Sequence, residues 1–410
     1  MKKFWMFSFI AIIGLLLLLF FTNDFGLMDI QKTSFIIAVG IDKGQEEGKF
    51  DVTAQIAVPD QADGVKASNV YVDNILTFGD AIAKINLKTG WYPSLVHCRL
   101  IVLGKDILTT NVFDGLNYFL EKDIVEDSCL ISTSNQKASE TLKAQSPIGE
   151  VTANAITKVL SSEAQKTGSV SVNTLREFAK AYYSTAKSGY LPTLDVRAEA
   201  DNSSGGSGSN TGGSGNSSSG GSGGGSGGGS AGSNSENSAD IIDASQTDLF
   251  YDGKQVGRLN SEQTLAFNIA KTKTHYAFAN VDAVIDGELA NYEIKINIVK
   301  KDISVRMENG VPVLHFKIRG RVSIEDSNKS TSIVQTAKNS IVPDAILKNM
   351  EDKINKNLTE IVKISGQTNC DIFEVIDGIH KRYYDKYQAE YGTLLQNIRP
   401  VFDIKFLTSH

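Results

Sequence analysis

The chain has 410 residues, a formal net charge of -6 at pH 7, 41% hydrophobic residues, 21% charged residues and three cysteines. This composition excludes a polytopic membrane protein, a collagen-like chain and a disulfide-rich scaffold. The acidic balance argues against a nucleic-acid-binding protein, which normally carries a basic surplus. At about 100–200 residues per domain, the length allows two or three domains.

The N-terminus holds the most apolar stretch of the sequence. Phe4–Phe21 carries no charge and follows Lys2–Lys3. As a helix it would extend roughly 27 Å, close to the thickness of a hydrocarbon core. No small-x-small cleavage site follows, so residues 1–26 are predicted to be an uncleaved membrane anchor rather than a cleaved signal peptide or a buried core helix. The lysines before the run, with Asp24 and Asp29 after it, predict that the rest of the chain faces outward.

Residues 27–200 form a first predicted block of helices and strands. Continuous β-branched apolar runs predict strands buried on both faces, and alternating runs predict half-buried strands. Apolar residues at helical spacing predict the helices, with Thr174 as an N-cap and Pro147 in a first turn. The predicted elements are strands at Phe35–Asp42 and Phe50–Val58 joined by a hairpin, a helix at Val72–Leu87, a strand at Leu95–Leu103, a helix at Val112–Leu120, a strand at Cys129–Ser132, and helices at Pro147–Leu160 and Thr174–Tyr183.

Residues 201–240 differ sharply from the blocks on either side. Gly and Ser account for 29 of these 40 residues, and none is aromatic. Such a segment cannot bury enough apolar surface to offset the entropy lost on ordering. It is therefore predicted to be a disordered, flexible linker with an end-to-end distance of roughly 35 Å.

Residues 241–410 form a second predicted block, which is neutral because it has 22 basic and 22 acidic residues. Long alternating runs predict antiparallel strands with one polar face, and Asn309–Gly310 predicts a hairpin. The predicted elements are strands at Tyr292–Val299, Ile303–Met307 and Val313–Val322, a helix from Pro343 to Val362, a helix through Tyr383 that begins with a capping-box-like pair at Asp371 and Glu374, and a final strand at Val401–Phe406.

The predicted fold class is α+β because strands and helices are segregated along the chain. It comprises an N-terminal membrane helix and two mixed α/β blocks. The second block is expected to contain a long-stranded antiparallel sheet packed by helices. The helix from Pro343 could instead bind a partner, but a regular apolar stripe is more often a core face.

The sequence predicts no metal or cofactor site. No two histidines fall at a metal-ligand spacing such as i, i+4 on one helix. A satisfied structural histidine is the simpler interpretation of each, and two of them lie in predicted strands. The histidines are His97 and His315, which lie in those strands, and His275, His380 and His410.

The three cysteines, Cys98, Cys129 and Cys370, form no C-x-x-C motif. Cys98 and Cys129 lie on predicted strands and could be neighbours. All three are predicted to be buried thiols. An outward-facing location would also permit one disulfide, which would leave one cysteine unpaired.

Three short strings resemble those of acyl-serine enzymes. Ser184–Lys187 has the S-x-x-K pattern, in which the lysine assists deprotonation of a serine nucleophile. Lys88–Gly90 and Lys166–Gly168 both read K-T-G. In a penicillin-binding enzyme K-T-G follows S-x-x-K, whereas both copies precede it here. The strings therefore favour no enzyme, and no catalytic residue is predicted.

Paired carboxylates for acid–base catalysis are also weakly indicated. Asp42 ends a predicted buried strand, and Glu46–Glu47 lies in the turn that follows. Nothing in the sequence predicts a second carboxylate held opposite Asp42. A solvated turn is therefore the simpler interpretation of this aspartate.

Several strings, in a shared order, resemble the Ger(x)C family of spore germination receptor C subunits. The family opens with an apolar strand ending in Gly-Ile-Asp, followed by a second strand. A strand and helix, two middle helices, a strand-turn-strand unit and a C-terminal helix follow. The matching strings are Asp29–Lys43 with Val52–Ala57, His97–Gly104 with Leu116–Leu120, Ala155–Leu160, Thr174–Phe178, Phe250–Asn260, and Asp371–Phe373 with His380–Tyr384.

The resemblance implies a non-enzymatic subunit of a nutrient germinant receptor in the spore inner membrane. Its partners would be a membrane-embedded A subunit and a transporter-like B subunit, and binding of a small germinant is left open. Family members usually carry a lipobox cysteine after the signal, and none follows the apolar run here. The predicted helix is therefore expected to replace the lipid as anchor. One alternative is an extracytoplasmic small-ligand-binding module, which a deep apolar pocket would favour.

Overall fold

The structure is a computed structural model in which part of the chain is described. The predicted linker apart from Asp240, most of the predicted anchor and His410 lie outside the described residues, and Asp240 belongs to a strand. The described residues are 5, 9–16, 33–60, 64–121, 124–146, 150–198, 240–285, 287–328, 341–384, 387 and 391–409.

The first sheet contains nine strands, drawn from both sides of the predicted linker. Its order is β3-β2-β1-β5-β6-β7-β8-β9, with β4 paired to β1. The neighbours β1, β5, β6 and β7 run parallel to one another, and the remaining pairs along this order are antiparallel. The strands are β1 Thr33–Lys43, β2 Phe50–Asp60, β3 Gly64–Ile75, β4 Tyr92–Ser94, β5 Leu100–Leu103, β6 Leu130–Ser134, β7 Ser188–Ala198, β8 Asp240–Tyr251 and β9 Lys254–Leu259.

The second sheet has four long strands in the order β10-β11-β12-β13. The first three are antiparallel, as predicted, but β13 runs parallel to β12, which differs from the purely antiparallel prediction. The Asn309–Gly310 hairpin is confirmed, with φ of 52° and 81°, the left-handed geometry that a two-residue turn requires. The strands are β10 Tyr276–Ile285, β11 Glu288–Glu308, β12 Val311–Ser327 and β13 Arg399–Thr408.

Helices cover both faces of the first sheet and one face of the second. Separate clusters of buried side chains lie on the two faces of the first sheet, and a third fills the space beneath the second. Besides a short 3₁₀ turn at Lys105–Thr109, the helices are α1 Phe78–Thr89, α2 Phe113–Glu121, α3 Ala138–Thr141, α4 Thr152–Val159, α5 Ser162–Lys166, α6 Leu175–Tyr182, α7 Ser261–Lys271, α8 Asp344–Thr368, α9 Val375–Tyr383 and α10 Tyr391–Gln396.

The helix predicted from Pro343 is confirmed as α8, and its apolar stripe is a core face. Ile346, Met350 and Leu358 are at most 1% exposed within the cluster beneath the second sheet. Full burial of such a side chain contributes about 1.5–3 kcal/mol. The same cluster includes Leu249 and Leu259 of β8 and β9, so the two sheets share packed side chains.

The helix predicted at Val72–Leu87 is partly wrong. Residues up to Ile75 belong to β3, where Val72 pairs with Val52 of β2. The helix α1 starts only after Thr77, whose Oγ1 accepts a hydrogen bond from the Asp80 amide at 3.3 Å. Pairing with a neighbouring strand therefore overrides apolar spacing that also fits a helix.

Three other boundaries differ from the predictions. A turn at Leu95–Cys98, closed by the Cys98 amide on the Leu95 carbonyl, confines the predicted strand to Leu100–Leu103. The predicted start of a helix at Pro147 is wrong, because the helix begins at Thr152 after Val151, whose backbone is not helical. The two strands predicted on either side of Lys300 are one strand, β11, which carries a bulge at Val299.

Candidate functional site

An open cleft of about 900 Å³ lies among charged and polar side chains. It lies between α5 and α6 on one side and the end of α7, β11 and the start of α9 on the other. We call it the interblock cleft because its walls come from both sequence blocks. Its charged lining residues are Glu177, Lys180, Lys271, Lys273, Lys301, Asp371, Glu374, Asp377 and Lys381.

Lys301 is a half-buried cation of this cleft. The bulge at Val299 turns its side chain inward on β11, opposite Ile318. Its Nζ donates hydrogen bonds to the carbonyls of Thr272 and Asn268 at the end of α7. Burial lowers the pKa of Lys301 to about 8. Its ammonium group therefore caps the C-terminus of α7, where a cation is stabilised by the helix dipole.

Asp371 is the buried anion of the cleft. Its carboxylate accepts hydrogen bonds from the amides of Val375 at 2.8 Å and Ile376 at 2.7 Å. The capping box predicted at Asp371 and Glu374 is wrong, because α9 begins only at Val375. Glu374 instead has a left-handed backbone with φ of 57° and pairs with Lys271 at 2.8 Å. Asp371 therefore caps α9 alone.

The stability of the protein should depend on the protonation of Asp371. Burial raises its pKa from 3.8 to about 6. Between these values the folded state binds more protons than the unfolded state, so raising the pH from about 4 to 6 should lower the free energy of unfolding. In Asp371→Asn this contribution, on the order of 2 kcal/mol, should vanish. Urea unfolding across this pH range measures the difference, and Asp352→Asn is the control.

A flat difference between wild type and Asp371→Asn across this range would show that the carboxyl group titrates with its ordinary pKa. The control should follow the wild-type profile, because Asp352 is an exposed aspartate of α8 and is not among the charges that shift the pKa of Asp371.

The strings of the acyl-serine pattern do not converge on one site. Ser184 borders the cleft, but its Oγ donates to the Ala181 carbonyl at 2.7 Å. Lys187 pairs with Asp252 at 2.9 Å on the exposed turn before β9. Lys88 donates to the Tyr71 carbonyl at 2.7 Å. The serine therefore has no lysine placed as its base.

The histidines are scattered over the described residues. His97 lies in a turn rather than the predicted strand, with its ring 5.0 Å from that of Phe35. His315 lies in β12 as predicted, and its Nε2 is 3.9 Å from Glu308. Within the described ranges no three His, Cys, Asp or Glu side chains are grouped as metal ligands.

The three cysteines are buried free thiols, as predicted. A hydrogen bond between Cys98 and Cys129, together with burial, raises the pKa of the Cys129 thiol, so the predicted proximity of this pair is confirmed. Burial also raises the pKa of the Cys370 thiol, which lies 3.1 Å from the Phe250 carbonyl. Nucleophilic cysteines need a lowered pKa and some exposure, whereas all three thiols are buried and the pKa values of Cys129 and Cys370 are raised.

The prediction that Asp42 is a solvated turn residue is wrong. Asp42 is 4% exposed, and its carboxylate accepts from the amides of Ala138 at 2.6 Å and Ser139 at 3.0 Å. Burial raises its pKa, and these hydrogen bonds oppose the rise. Asp51, which is 6% exposed, lies opposite it in the β1–β2 register and accepts from the Tyr71 hydroxyl at 2.6 Å.

Sequence reasoning missed this second carboxylate, although the hairpin was predicted. The signal was available, because pairing Phe35–Asp42 with Phe50–Val58 places Asp42 and Asp51 at the two ends next to the turn. The carboxylates of Asp42 and Asp51 accept hydrogen bonds from backbone amides and from the Tyr71 hydroxyl, respectively. Their roles are therefore to cap α3 and to fix the end of β3.

The protein is an α+β protein built on two sheets. The buried charged side chains described above either cap helices or are hydrogen-bonded to a partner side chain. Within the described residues, every helix is too short or too polar to cross a bilayer. Half of the predicted span at 4–21 falls outside those residues.

Comparison with known proteins identifies the family. A family described as "Spore germination protein N-terminal domain" matches residues 27–196, and one described as "Spore germination B3/ GerAC like, C-terminal" matches residues 245–402. The chain therefore belongs to the Ger(x)C family of germinant receptor C subunits, as the resemblance predicted. This family acts in spore germination and is associated with the spore membrane.

One solved structure, "Crystal Structure of the GerBC protein", is similar with a TM-score of 0.44 and 14% sequence identity. The match covers 91% of this chain and 97% of that chain. No curated protein matches the sequence.

Proposed function

We propose that this chain is the C subunit of a nutrient germinant receptor in the spore inner membrane and acts without catalysis, through contacts with the A and B subunits. The observation that carries the proposal is the pair of family matches at 27–196 and 245–402. The N-terminal family domain precedes the C-terminal one, as expected of a C subunit. On this proposal, residues 27–200 and 241–410 lie on the extracytoplasmic side of the membrane.

The state of the polar groups supports a non-enzymatic role. The half-buried Lys301 and the buried Asp371 of the interblock cleft cap helices α7 and α9. Ser184 donates to a backbone carbonyl, and its string partner Lys187 is paired with Asp252. A nucleophile needs an adjacent base within hydrogen-bond reach, and this serine has none of the predicted kind.

Anchoring by residues 1–26 is part of the proposal. Residues 9–16 are helical, and their side chains are exposed although most are apolar. Phe9, Ile12 and Leu16 are 56–62% exposed, so they cover no protein core. Apolar side chains around a helix without a protein partner suit insertion into lipid. On this proposal the chain divides into an anchor, a body of 27–200 and 241–410, and a linker of 201–240.

A second candidate, binding of a small ligand, is favoured by the size of the interblock cleft. Its volume of about 900 Å³ is within the usual range of ligand sites. A small-ligand-binding module would require a deep apolar pocket. The cleft is instead open and lined by charged residues.

Spores lacking the gene provide the test of receptor function. With no redundant copy, they should lose the response to at least one nutrient germinant, and the full chain with a C-terminal tag should restore it. The tagged chain, purified from spore membranes in mild detergent, should carry the A and B subunits with it. A normal response to every nutrient in the deletion strain would contradict the proposal.

Complementation with Ser184→Ala separates the subunit from the acyl-serine enzyme. This variant should restore the nutrient response fully, because the serine hydroxyl only donates a hydrogen bond within a turn. A loss of response, together with covalent labelling of the wild-type chain by a β-lactam at Ser184, would support the enzyme instead.

A further inference from the structure

The second sheet has one face that no described helix covers. On its inner face Phe316, Ile318 and Val322 are fully buried against the cluster that includes α8 and α9. The alternating residues of the same strand, Lys317 and Arg321, are exposed. We call the side of the sheet that carries Lys317 and Arg321 the outer face. It comprises the residues of β10–β13 whose side chains point away from α8 and α9.

The central part of the outer face is basic. Register pairs place its cations side by side: Lys300 opposite Arg319, and Arg319 opposite Lys405. Its acids are Asp302, paired in register with Lys317, Asp403, which binds the Arg319 guanidinium at 2.6 Å, and Glu293, two residues before Lys295 on the same face. The cations of this part are Lys295, Lys300, Lys317, Arg319, Arg321 and Lys405.

This positive surface is a local property of the second block. Residues 241–410 are neutral overall, with 22 basic and 22 acidic residues. A basic surplus on one face therefore requires an acidic surplus elsewhere on the block. Such asymmetry orients a protein toward a surface of opposite charge.

Apolar side chains are interspersed among these cations. Lys295 Nζ lies 5.2 Å from the Tyr276 ring centre and 5.8 Å from that of Phe278. Leu407 is 68% exposed and Val299 is 66% exposed. Exposed aromatic and aliphatic groups beside lysine and arginine are typical of surfaces that contact lipid headgroups.

We propose that the outer face of β10–β13 lies on the anionic lipid surface of the membrane that holds the anchor. This inference rests on the anchoring part of the proposed function. The chain between Phe21 and Thr33 can extend roughly 40 Å, which lets the body reach the bilayer surface. Anionic headgroups attract clustered Lys and Arg, and the attraction falls off within a Debye length.

The test uses the full chain reconstituted in lipid nanodiscs, with a fluorophore on Asn297→Cys. Asn297 faces outward opposite Arg321, and the native cysteines are 0% exposed, so a maleimide labels only the new position. Discs contain brominated phosphatidylcholine, either alone or with phosphatidylglycerol. Bromine quenching should be about twofold stronger in the anionic discs and should fall to the neutral-lipid value in 0.5 M salt.

Charge reversal provides the matched comparison. Lys317→Glu, Arg321→Glu and Lys405→Glu together should abolish the extra quenching, and the corresponding Gln triple variant should reduce it. The control is the triple Lys→Glu variant at Lys348, Lys356 and Lys363, exposed residues of α8 on the opposite side of the sheet, and it should quench as the parent does. Equal thermal midpoints would show that all variants fold.

Equal quenching in neutral and anionic discs would overturn the proposal. If the outer-face variant also lost the A and B subunits on purification, the face would bind an acidic protein surface instead of lipid. Comigration of the chain with discs of either lipid tests the anchor separately. Failure to comigrate would contradict the anchor, whereas comigration without extra quenching would contradict only the lipid contact of the outer face.

Discussion

Replacing Asp248 by alanine is expected to destabilise the protein by about 3–5 kcal/mol. Asp248 is fully buried, and its carboxylate accepts from Arg258 Nε at 2.6 Å and Nη2 at 3.1 Å. The Thr133 hydroxyl donates to it at 2.6 Å, and Gln255 donates through Nε2. Removing the carboxylate would leave the Arg258 guanidinium and the Thr133 hydroxyl without this acceptor. Removing one partner of a buried pair costs more free energy than replacing both partners.

The Asp248 network connects strands from both sequence blocks. Thr133 lies on β6, Asp248 on β8 and Arg258 on β9, while Thr193 of the intervening β7 lies 3.2 Å from the Thr133 hydroxyl. Loss of the network should therefore weaken the pairing of β7 with β8, the strands that precede and follow the Gly/Ser-rich segment.

Urea unfolding of Asp248→Ala beside Asp252→Asn measures this effect. Asp252 pairs with Lys187, but both side chains are more than half exposed, so its loss should change the free energy of unfolding by at most about 1 kcal/mol. Asparagine suits the control because Asp252 has a left-handed backbone. Equal stability of the two variants would show that the buried pair contributes no more than a surface pair.

Gly104→Ala should have the next largest effect, a loss of about 3 kcal/mol. A methyl group at this position would meet Asp42 Oδ1 at 1.8 Å and the Ala138 amide nitrogen at 2.9 Å. Because both neighbours are buried, the carboxylate must move away from the helix terminus that it caps. The variant therefore combines overpacking with weakened charged hydrogen bonds.

Gly79→Ala is the matched control for this substitution. It lies in the first turn of α1, and the nearest atom to a new methyl group is 3.8 Å away. The control should be neutral or slightly stabilising, because alanine favours a helix by about 0.5–1 kcal/mol over glycine. Combining Gly104→Ala with Asp42→Asn should cost less than the sum of the single variants. Strict additivity would contradict the clash.

Local signals in the sequence predicted much of the fold. Thr174 forms the capping box of α6 with Glu177, and the Asn309–Gly310 turn joins β11 to β12. These features depend on side chains within a few residues of one another. In contrast, β7 was not predicted, because Gly189 and Pro192 interrupt its pattern and its pairing with β8 spans the Gly/Ser segment.

The sites depended on long-range pairing and were harder to predict. Asp42 looked like a turn residue because its partners, the amides of Ala138 and Ser139, are 96 and 97 residues away. Lys301 points inward only because the bulge at Val299 shifts the register of β11. The family resemblance was sound, since it relied on the order of many strings rather than on one site.

The first sheet continues directly from one sequence block into the other, since Ala198 of β7 pairs with Asp240 of β8. Replacing residues 199–239 by a four-residue turn tests it most directly. Shortening the connection roughly tenfold should raise the free energy of unfolding by about 2 kcal/mol, with a single cooperative transition. A destabilised chain, or two separate unfolding transitions, would contradict the claim and favour two tethered domains.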